Sequence, residues 1–239
     1  MNYFLQRIKS FAWRLHDKWH NLPQSEPGSL LIEDIKLLLD GKSKLTILEI
    51  GAHVGKDTIN FAKAFPDACI YAFEPDPRNF SQLVSTVRDY TNVVPLNLAV
   101  SSSNGTARFN LSKTDIDTFG SCHTESSSLK LPSLHKIMHP HVDWEISLVK
   151  TITLDSFINQ YSIPFIDFIW ADVQGAEGEL VSGACKALSI TRYFYTEYGL
   201  REIYDKQTLL PQLLRMLHPS FAIKRRFPCD ILLENISIL

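Results

Sequence analysis

The run ILEIGAHVGKDT, from Ile47 to Thr58, is the sequence feature that most constrains this chain. Its first residues have the character of a strand, Gly51 begins a turn, and the residues after Gly55 suit the start of a helix. Glycine lets the backbone approach a ligand closely, and the start of a helix presents unpaired N–H groups. We therefore predict a ligand site at this turn.

The residues around the two glycines restrict the class of ligand. The spacing lacks the three glycines of the dinucleotide-binding turn, and no glycine stands five residues before Gly55, so Gly55-Lys56 does not form a phosphate loop. Glu49 would repel a pyrophosphate, whereas it would attract the charged amino group of a ligand such as S-adenosylmethionine (SAM). The alternative is an ordinary strand-to-helix turn that binds nothing.

A second acid closes the next predicted strand. The apolar run 68–73 ends at Glu74. An acidic residue at the tip of the second strand of an α/β unit can accept both hydrogen bonds of a ribose diol. The glycine turn and this acid together favour a SAM-type ligand over a turn without one.

Composition and charge restrict the class of protein. The 239 residues include 24 basic and 26 acidic residues, a net charge of -2 without a basic stripe, so nucleic acid is not an expected partner. The cysteines show no C-x-x-C spacing, which predicts a reducing compartment and no metal knuckle. No apolar run reaches the roughly 18 to 20 residues of a membrane span. Basic residues interrupt positions 1–22, so we expect neither a transmembrane segment nor a signal peptide, and a cytoplasmic location.

Residues 1–41 are predicted to form a helical extension ahead of the main domain, 42–239. An amphipathic helix is expected over residues 2–20, with one apolar stripe formed by Phe4, Ile8, Phe11, Leu15 and Trp19. We expect this stripe to pack on the body of the protein, with peripheral membrane contact through residues 1–22 and a homodimer contact as the alternatives. A second helix is predicted over 30–39, ending at Gly41.

Strands and helices alternate from Ile47 onward. The pattern predicts helices over 58–65, 78–88, 178–188 and 202–217, the last broken by Pro211, and strands over 68–73, 92–100, 165–172, 191–196, 221–227 and 230–236. This alternation indicates an α/β fold, a doubly wound, mostly parallel seven-stranded sheet of Rossmann-like type with helices on both faces and one antiparallel strand. Its ligand site is expected at the carboxyl ends of the strands.

Residues 101–150 break the alternation. Short strands are predicted over 106–111 and, at a sheet edge, over 146–152. The insertion 112–150 is long enough to be functional, and we expect it to cap the substrate. It carries His123, His135, His139 and His141 without the spacing of a compact zinc motif. Surface histidines are the favoured interpretation, and a substrate or proton-transfer role for one of them is the alternative.

Acids also follow the later strands. Asp172 closes the strand 165–172, and a carboxylate at the end of an apolar strand needs a partner. Glu197 closes the strand 191–196. Glu177 stands near the start of the helix 178–188, where it could serve the helix dipole alone.

These motifs together resemble the FkbM-type family of SAM-dependent methyltransferases. The resemblance rests on EIGAHVG (49–55), AFEP (72–75), AV (99–100), TLD (153–155), DFIWADVQGAE (167–177) and TE (196–197), in the family's order and spacing. Trp170 and Gln174 depart from the lysine and glutamate that many members carry. The resemblance implies a class I methyltransferase sheet, SAM as methyl donor and, usually, O-methylation of a hydroxyl on a sugar, glycan, lipid or natural product.

The resemblance and the strand ends together assign the site. The cofactor-binding residues are predicted to be Glu49, Gly51, His53, Gly55, Thr58, Glu74, Pro75 and Ala99. Glu49 and the glycine backbone would hold the methionine end of SAM, Glu74 the ribose, and Ala99 would lie along the adenine. Asp172 is the first candidate to orient or deprotonate the acceptor, or to hold a divalent cation that does so, and Glu197 is the second.

Two other functions stay open at this point. The chain could be a non-catalytic SAM- or nucleotide-binding partner in a biosynthetic complex, although the strand-end acids argue against that. A hydride-transferring dehydrogenase is disfavoured by the missing third glycine.

Overall fold

The computed structural model describes residues 25–42, 44–113 and 124–238. The amphipathic helix predicted over residues 2–20, Cys122 and His123 lie outside these residues. The helices are α1 (Ile32–Leu38), α2 (Lys56–Ala64), α3 (Pro77–Val87), α4 (Ser133–Met138), α5 (Leu154–Gln160), α6 (Glu177–Ser182), α7 (Cys185–Ser189) and α8 (Leu210–Leu217). The strands are β1 (Thr46–Ile50), β2 (Cys69–Phe73), β3 (Val93–Leu96), β4 (Ala99–Val100), β5 (Gly105–Lys113), β6 (Asp143–Ile152), β7 (Ile166–Ala171), β8 (Thr191–Glu197), β9 (Phe221–Arg226) and β10 (Asp230–Asn235).

The main sheet has seven strands in the order β3-β2-β1-β7-β8-β10-β9. β10 is antiparallel to both of its neighbours, and the other pairs are parallel. The predicted mostly parallel sheet with one antiparallel strand is therefore confirmed. The strand order reverses between β1 and β7, and at such a switch point the connections leave a crevice at the carboxyl ends of the strands.

The sheet is covered on both faces because its strands alternate their side chains. Leu48 and Ile50 of β1 are fully buried in a cluster with α5, α6, α7 and α8. Ile47 lies in a second cluster with α1, α2 and α3. Glu49 lies on the same face of β1 as Ile47, and so on the side of the sheet that carries this second apolar cluster.

The insertion contributes a second, three-stranded sheet in the order β4-β6-β5. The single strand predicted over 92–100 is wrong, because it divides into β3 of the main sheet and β4, which pairs with β6. The strand predicted at an edge over 146–152 is instead the central strand β6. A side-chain hydrogen bond from Asn97 to the carbonyl of Glu74, 2.8 Å long, ties down the turn between β3 and β4.

The helix predicted over 178–188 is two helices, α6 and α7. The carbonyl of Gly183 accepts a hydrogen bond from the backbone N–H of Asp155, at 3.1 Å, instead of continuing the helix. The Asp155 carboxylate accepts from the N–H of Ala187, at 2.9 Å, and so satisfies a donor in the first turn of α7. The break therefore comes from a contact with α5 that the local sequence does not contain.

The helix predicted over 202–217 begins only at Leu210. Pro211 lies in its first turn, where the missing N–H has no helical partner to lose, so the proline starts the helix rather than breaking it. Residues 199–209 form a loop. In it the carbonyl of Ile203 accepts hydrogen bonds from the N–H groups of Leu134 and His135, both at 3.1 Å.

Two findings bear on the predicted reducing compartment and the predicted lack of a transmembrane segment. Cys69, Cys185 and Cys229 carry free thiols. None of the helices in the described ranges combines the length and the apolar character that crossing a membrane requires.

The turn after β1 lies against the end of β7. Gly51 has φ +96°, and a Cβ placed on it would lie 1.9 Å from the carbonyl oxygen of Asp172. The N–H of Asp172 also donates to the carbonyl of Ile50, at 2.8 Å. Only glycine fits here, because the neighbouring atom is backbone and cannot rotate away.

We expect Gly51→Ala to lower the free energy of unfolding by about 3 kcal/mol or more, since it adds both a left-handed alanine and a backbone clash. Gly28→Ala is the matched control: its φ of +84° is similar, but nothing lies within 4 Å of its Cβ position. It should cost only about 1 to 2 kcal/mol. Urea unfolding measures both values, and equal losses in the two variants would contradict the close contact at Gly51.

Candidate active site

A cavity of about 420 Å³ opens at the carboxyl edge of the main sheet. This lies within the range of roughly 300 to 1,000 Å³ that is usual for small-molecule sites. The predicted site residues that line it are Glu49, Gly51, His53, Glu74, Pro75, Ala99, Asp172 and Glu197. Thr124 to Ser127 and Leu129 of the insertion also contribute to the wall.

Gly55 and Thr58 are not among the lining residues. Gly55 lies behind the turn, where a Cβ would come within 2.8 Å of the Leu83 side chain. Thr58 is fully buried in α2, close enough to Glu49 for its hydroxyl to favour the ionised carboxylate. If these two residues contribute to ligand binding, they do so indirectly, through neighbours that line the cavity.

The turn after β1 uses its own N–H groups within the chain. The N–H groups of Gly51 and Ala52 both donate to the carbonyl of Phe73, at 2.9 Å, and that of Gly55 donates to the carbonyl of Ala52, at 2.8 Å. The expectation that these glycines present bare N–H groups to a ligand is wrong. Gly51 instead shapes the cavity by letting the chain pass close to Asp172.

Glu49 is a buried carboxylate with an unsatisfied oxygen. Only 2% of the residue is exposed, and Oε2 has no hydrogen-bond partner among the described residues. Burial raises the pKa of Glu49 to about 8; the Thr58 hydroxyl opposes the rise, and the charges of Asp57 and Glu74 add to it. A buried carboxylate of this kind favours a cationic ligand that would supply the missing partner.

Glu74 is held by backbone donors on both oxygens. Oε2 accepts from the N–H of His53 and Oε1 from the N–H of Asp76, both at 2.8 Å. Burial raises the pKa of Glu74 to about 7, and these two hydrogen bonds oppose the rise. Each carboxylate oxygen can accept a second hydrogen bond, so Glu74 keeps two acceptor positions for a ligand.

Two neighbours of Glu74 connect it to other parts of the wall. The ring of His53 lies 2.7 Å from the Thr124 hydroxyl, measured from Nε2 to Oγ1, which joins the glycine turn to the insertion. Asn79 of α3 lines the cavity, is 2% exposed, and has an Oδ1 without a hydrogen-bond partner among the described residues. Sequence reasoning missed Asn79, although its place in the first turn after AFEP was a usable signal.

Asp172 and Glu197 are brought together at the other end of the cavity. Gln174 Nε2 lies 2.6 Å from Asp172 Oδ1 and 3.3 Å from Glu197 Oε2. Burial raises the pKa of Asp172, and the hydrogen bond from Gln174 opposes the rise. Burial and the negative charge of Asp172 raise the pKa of Glu197. Asp172 thus has the partner that its place at a strand end requires, and that partner is Gln174.

Glu177 lies beneath this pair and outside the lining. It is 1% exposed, its Oε1 accepts from the N–H of Gly175 at 3.1 Å, and burial raises its pKa to about 7. As the first residue of α6 it holds the turn that follows Asp172. This position agrees with a role in the turn and the helix start.

The acids do not form an evident metal centre. Within residues 25–42, 44–113 and 124–238, no three histidine, cysteine, aspartate or glutamate side chains converge in a way that could hold a metal ion. Asp172 and Glu197 offer two carboxylates, and their donor set lacks the third ligand. The residues present do not fit the divalent cation considered for this pair.

The described histidines of the insertion do not line the cavity. The ring of His135 lies between those of His139, Trp144 and Tyr204, at centroid distances of 4.6, 5.4 and 5.6 Å. The expectation of a surface histidine is wrong for His135, which is buried. His141 is exposed, in agreement with it.

The sequence of this chain is similar to those of known methyltransferases. The model of the methyltransferase FkbM domain matches residues 49–225. "2-O-methyltransferase NoeI" of Sinorhizobium fredii is 34% identical over 239 residues, covering 98% of this chain and 93% of the relative. "Hexuronic acid methyltransferase AglP" of Haloferax volcanii is 27% identical over 166 residues, covering 68% of this chain and 60% of the relative.

Among solved structures, fibrillarin of Aeropyrum pernix, crystallised with natively bound S-adenosyl-L-methionine, aligns with a TM-score of 0.43. Its sequence is 15% identical, and the alignment covers 80% of this chain and 67% of that one.

The family match spans most of the chain, and the NoeI relative aligns over nearly its full length. The predictions of the family and of a methyltransferase enzyme are therefore confirmed, and neither finding favours a non-catalytic binding protein or a dehydrogenase. This chain belongs to the FkbM methyltransferase family.

Proposed function

We propose that this enzyme transfers the methyl group of SAM to a hydroxyl group of a sugar. The observation that carries the proposal is the row of buried and half-buried carboxylates at the strand ends around one cavity, in a chain of the FkbM family. The names of two relatives, a 2-O-methyltransferase and a hexuronic acid methyltransferase, support a sugar acceptor. The hydroxyls of a glycan, a lipid or a natural product offer the same chemistry.

The residues at one end of the cavity fit SAM. Bound there, SAM supplies a methyl group on a positively charged sulfur. The unsatisfied Oε2 of Glu49 suits an amino group, and the two remaining acceptor positions of Glu74 suit the ribose diol. Ala99, which is buried and lines the cavity, offers a small apolar contact suited to adenine.

Asp172 and Glu197 would serve the acceptor hydroxyl. The hydrogen bond from Gln174 favours an ionised Asp172, and the charge of Asp172 favours a protonated Glu197. Two acids whose environments separate their pKa values in this way suit different roles. Asp172 would accept the proton of the hydroxyl, and Glu197 would orient the acceptor by donating a hydrogen bond.

The insertion would cap the acceptor end. Thr124 to Ser127 and Leu129 form part of the cavity wall, and the contact between Thr124 and His53 joins this segment to the glycine turn. The cytoplasmic location, the homodimer contact and the membrane contact through residues 1–22 stay predictions.

We expect Glu49→Gln to stabilise the ligand-free protein at pH 8 and to weaken its binding of SAM. Because burial raises the pKa of Glu49 from 4.5 to about 8, its contribution to stability is complete below pH 4.5 and is lost as the pH rises through 8. The melting temperature of the wild type should therefore fall more steeply between pH 5 and pH 8 than that of the variant. Glu202→Gln, an exposed site, is the control. If the melting temperatures of the wild type and Glu49→Gln depend on pH in the same way, the raised pKa of Glu49 is contradicted. If calorimetry finds the same affinity for SAM in both, Glu49 does not belong to the cofactor site.

A ligand without the ribose hydroxyls tests the role of Glu74. The wild type should bind SAM more tightly than the dideoxy analogue by a few kcal/mol, because charge-assisted hydrogen bonds contribute about 1.5 to 3 kcal/mol each. Glu74→Ala should bind the two ligands about equally. Comparing ligands within each variant cancels the loss of the internal hydrogen bonds from His53 and Asp76. The assignment fails if Glu74→Ala still distinguishes the ligands as the wild type does.

We expect Asp172→Asn to lower the rate of methyl transfer by at least about 10²-fold and to change SAM affinity little, since it keeps the shape of the side chain and removes its basicity. The assay offers methyl-labelled SAM with a panel of neutral sugars and uronic acids. Asp167→Asn, at the opposite end of the same strand and bonded to Lys42 and Thr46, is the matched control and should keep its rate. Joint loss of rate and SAM affinity would place Asp172 in the cofactor site and leave Glu197 as the base, and an unchanged rate would make Asp172 structural.

A further inference from the structure

Gln174 joins the two strand-end acids through a single nitrogen. Its Nε2 lies within hydrogen-bond distance of Asp172 Oδ1 and Glu197 Oε2, and an amide nitrogen has two hydrogens to donate. We propose that Gln174 is a positioning residue, anchored by Tyr204, that holds Asp172 and Glu197 in the arrangement needed to receive the acceptor hydroxyl. This inference rests on the proposed function and gives a role to Gln174, which lies in the motif 167–177 but was not predicted as a site residue.

Gln174 contacts Tyr204 with its amide oxygen and the two acids with its amide nitrogen. Tyr204 Oη lies 3.0 Å from Gln174 Oε1 and 3.1 Å from the carbonyl oxygen of Ser126. The phenol can donate its hydrogen to the amide oxygen, whereas the carboxylates need the amide nitrogen. Because the Ser126 carbonyl competes for the one phenol hydrogen, it is the acids that select the orientation of the amide, with Nε2 toward them and Oε1 toward Tyr204.

The backbone at Gln174 is held in a conformation that a non-glycine residue seldom adopts. Its φ is +50°, and its carbonyl accepts a hydrogen bond from Ser128 Oγ at 2.6 Å. Gly175 follows with φ +92°, and a Cβ there would lie 2.8 Å from the ring of Tyr204. An unfavourable backbone persists only where its surroundings determine it, and here the insertion and the loop 199–209 both do so.

The fixed amide gives the two acids different surroundings. Asp172 receives the shorter hydrogen bond, 2.6 Å against 3.3 Å, and a donor at that distance favours the ionised carboxylate. Two carboxylates that share one donor cannot both ionise readily, so the proton resides on Glu197. The other ionisable groups that act on the pair are Glu125, Glu177, Asp230 and Tyr204, and the basic groups that line the same cavity are His53 and Lys56.

Replacement of Gln174 tests the proposal in the full-length enzyme. Gln174→Met keeps the length of the side chain and removes both donors. We expect kcat to fall by about 10- to 100-fold, while affinity for SAM stays within about twofold. The acidic limb of the kcat profile should move to higher pH, because the donor that favours ionised Asp172 is gone. Gln174→Glu should move it further by adding a negative charge, and Tyr204→Phe should move it less in the same direction.

The control is Gln212→Met, which removes only a hydrogen bond at the start of α8, from the N–H of Leu209 at 2.9 Å. It should keep the wild-type kcat and pH profile. An unchanged acidic limb in Gln174→Met, even with a lower kcat, would overturn the proposal and leave Gln174 with a structural role. Loss of SAM binding in Gln174→Met would overturn it as well, because the residue would then belong to the cofactor site.

A measurement without any acceptor separates this inference from the proposed function. In protein with carbon-13 in its aspartate carboxyl groups, the Asp172 signal is the one that Asp172→Asn removes. Its titration midpoint should move to higher pH in Gln174→Met and stay unchanged in Gln212→Met. If Asp172→Asn leaves methyl transfer intact, the proposed base fails. The role of Gln174 then stands or falls on this titration alone.

Discussion

The close contact between Gly51 and the carbonyl of Asp172 determines the geometry of the site. It holds the end of β1 against the end of β7, two strands that are neighbours at the switch point of the sheet. Parallel neighbours lie about 4.8 Å apart, so residues that follow them have to share one crevice. Glu49 is thereby brought into the same cavity as Asp172, although more than a hundred residues separate them in the chain. The proposed division of the cavity into a cofactor end and an acceptor end depends on this single approach of two backbones.

The cavity is built at the expense of stability. Glu49 and Glu74, which line it, are almost fully buried, and burial raises the pKa of each above its ordinary value. A chain selected for stability alone would place neutral or apolar side chains there. A ligand with a positive charge reverses part of this cost when it binds. Binding of such a ligand should therefore raise the free energy of unfolding of the protein.

Much of the fold could be predicted because local patterns and tertiary contacts agree over most of the chain. Four strands are rich in apolar or aromatic residues and end at the same edge of the sheet. A glycine or an acid stands at or directly after the end of each, and this marks the edge as a ligand site. These strands end at Ile50, Phe73, Ala171 and Glu197. Two of the errors lie where a distant contact decides the outcome, whereas the start of α8 at Leu210 is marked locally by Pro211. Asp155 divides the helix predicted over 178–188, and β6 draws Ala99 and Val100 away from β3.

The site shows the same division between local and distant information. The acids could be found because each stands at the end of its own strand, which is a property of a short stretch of sequence. Gln174 and Tyr204 could not, since their importance comes from one hydrogen bond between residues 30 positions apart. The donors of the glycine turn were misjudged for a related reason. The carbonyl of Phe73, on another strand, takes up two of them.

The insertion, part of which lines the cavity, and the loop 199–209 support each other. The carbonyl of Ile203 receives two N–H groups at the start of α4, and the N–H of Asp205 donates to the carbonyl of Leu131 at 2.8 Å. Between these contacts the rings of His135 and Tyr204 pack together. Neither segment is therefore an independent module. In an exchange of parts between relatives, the insertion and the loop 199–209 would have to be inherited as a pair.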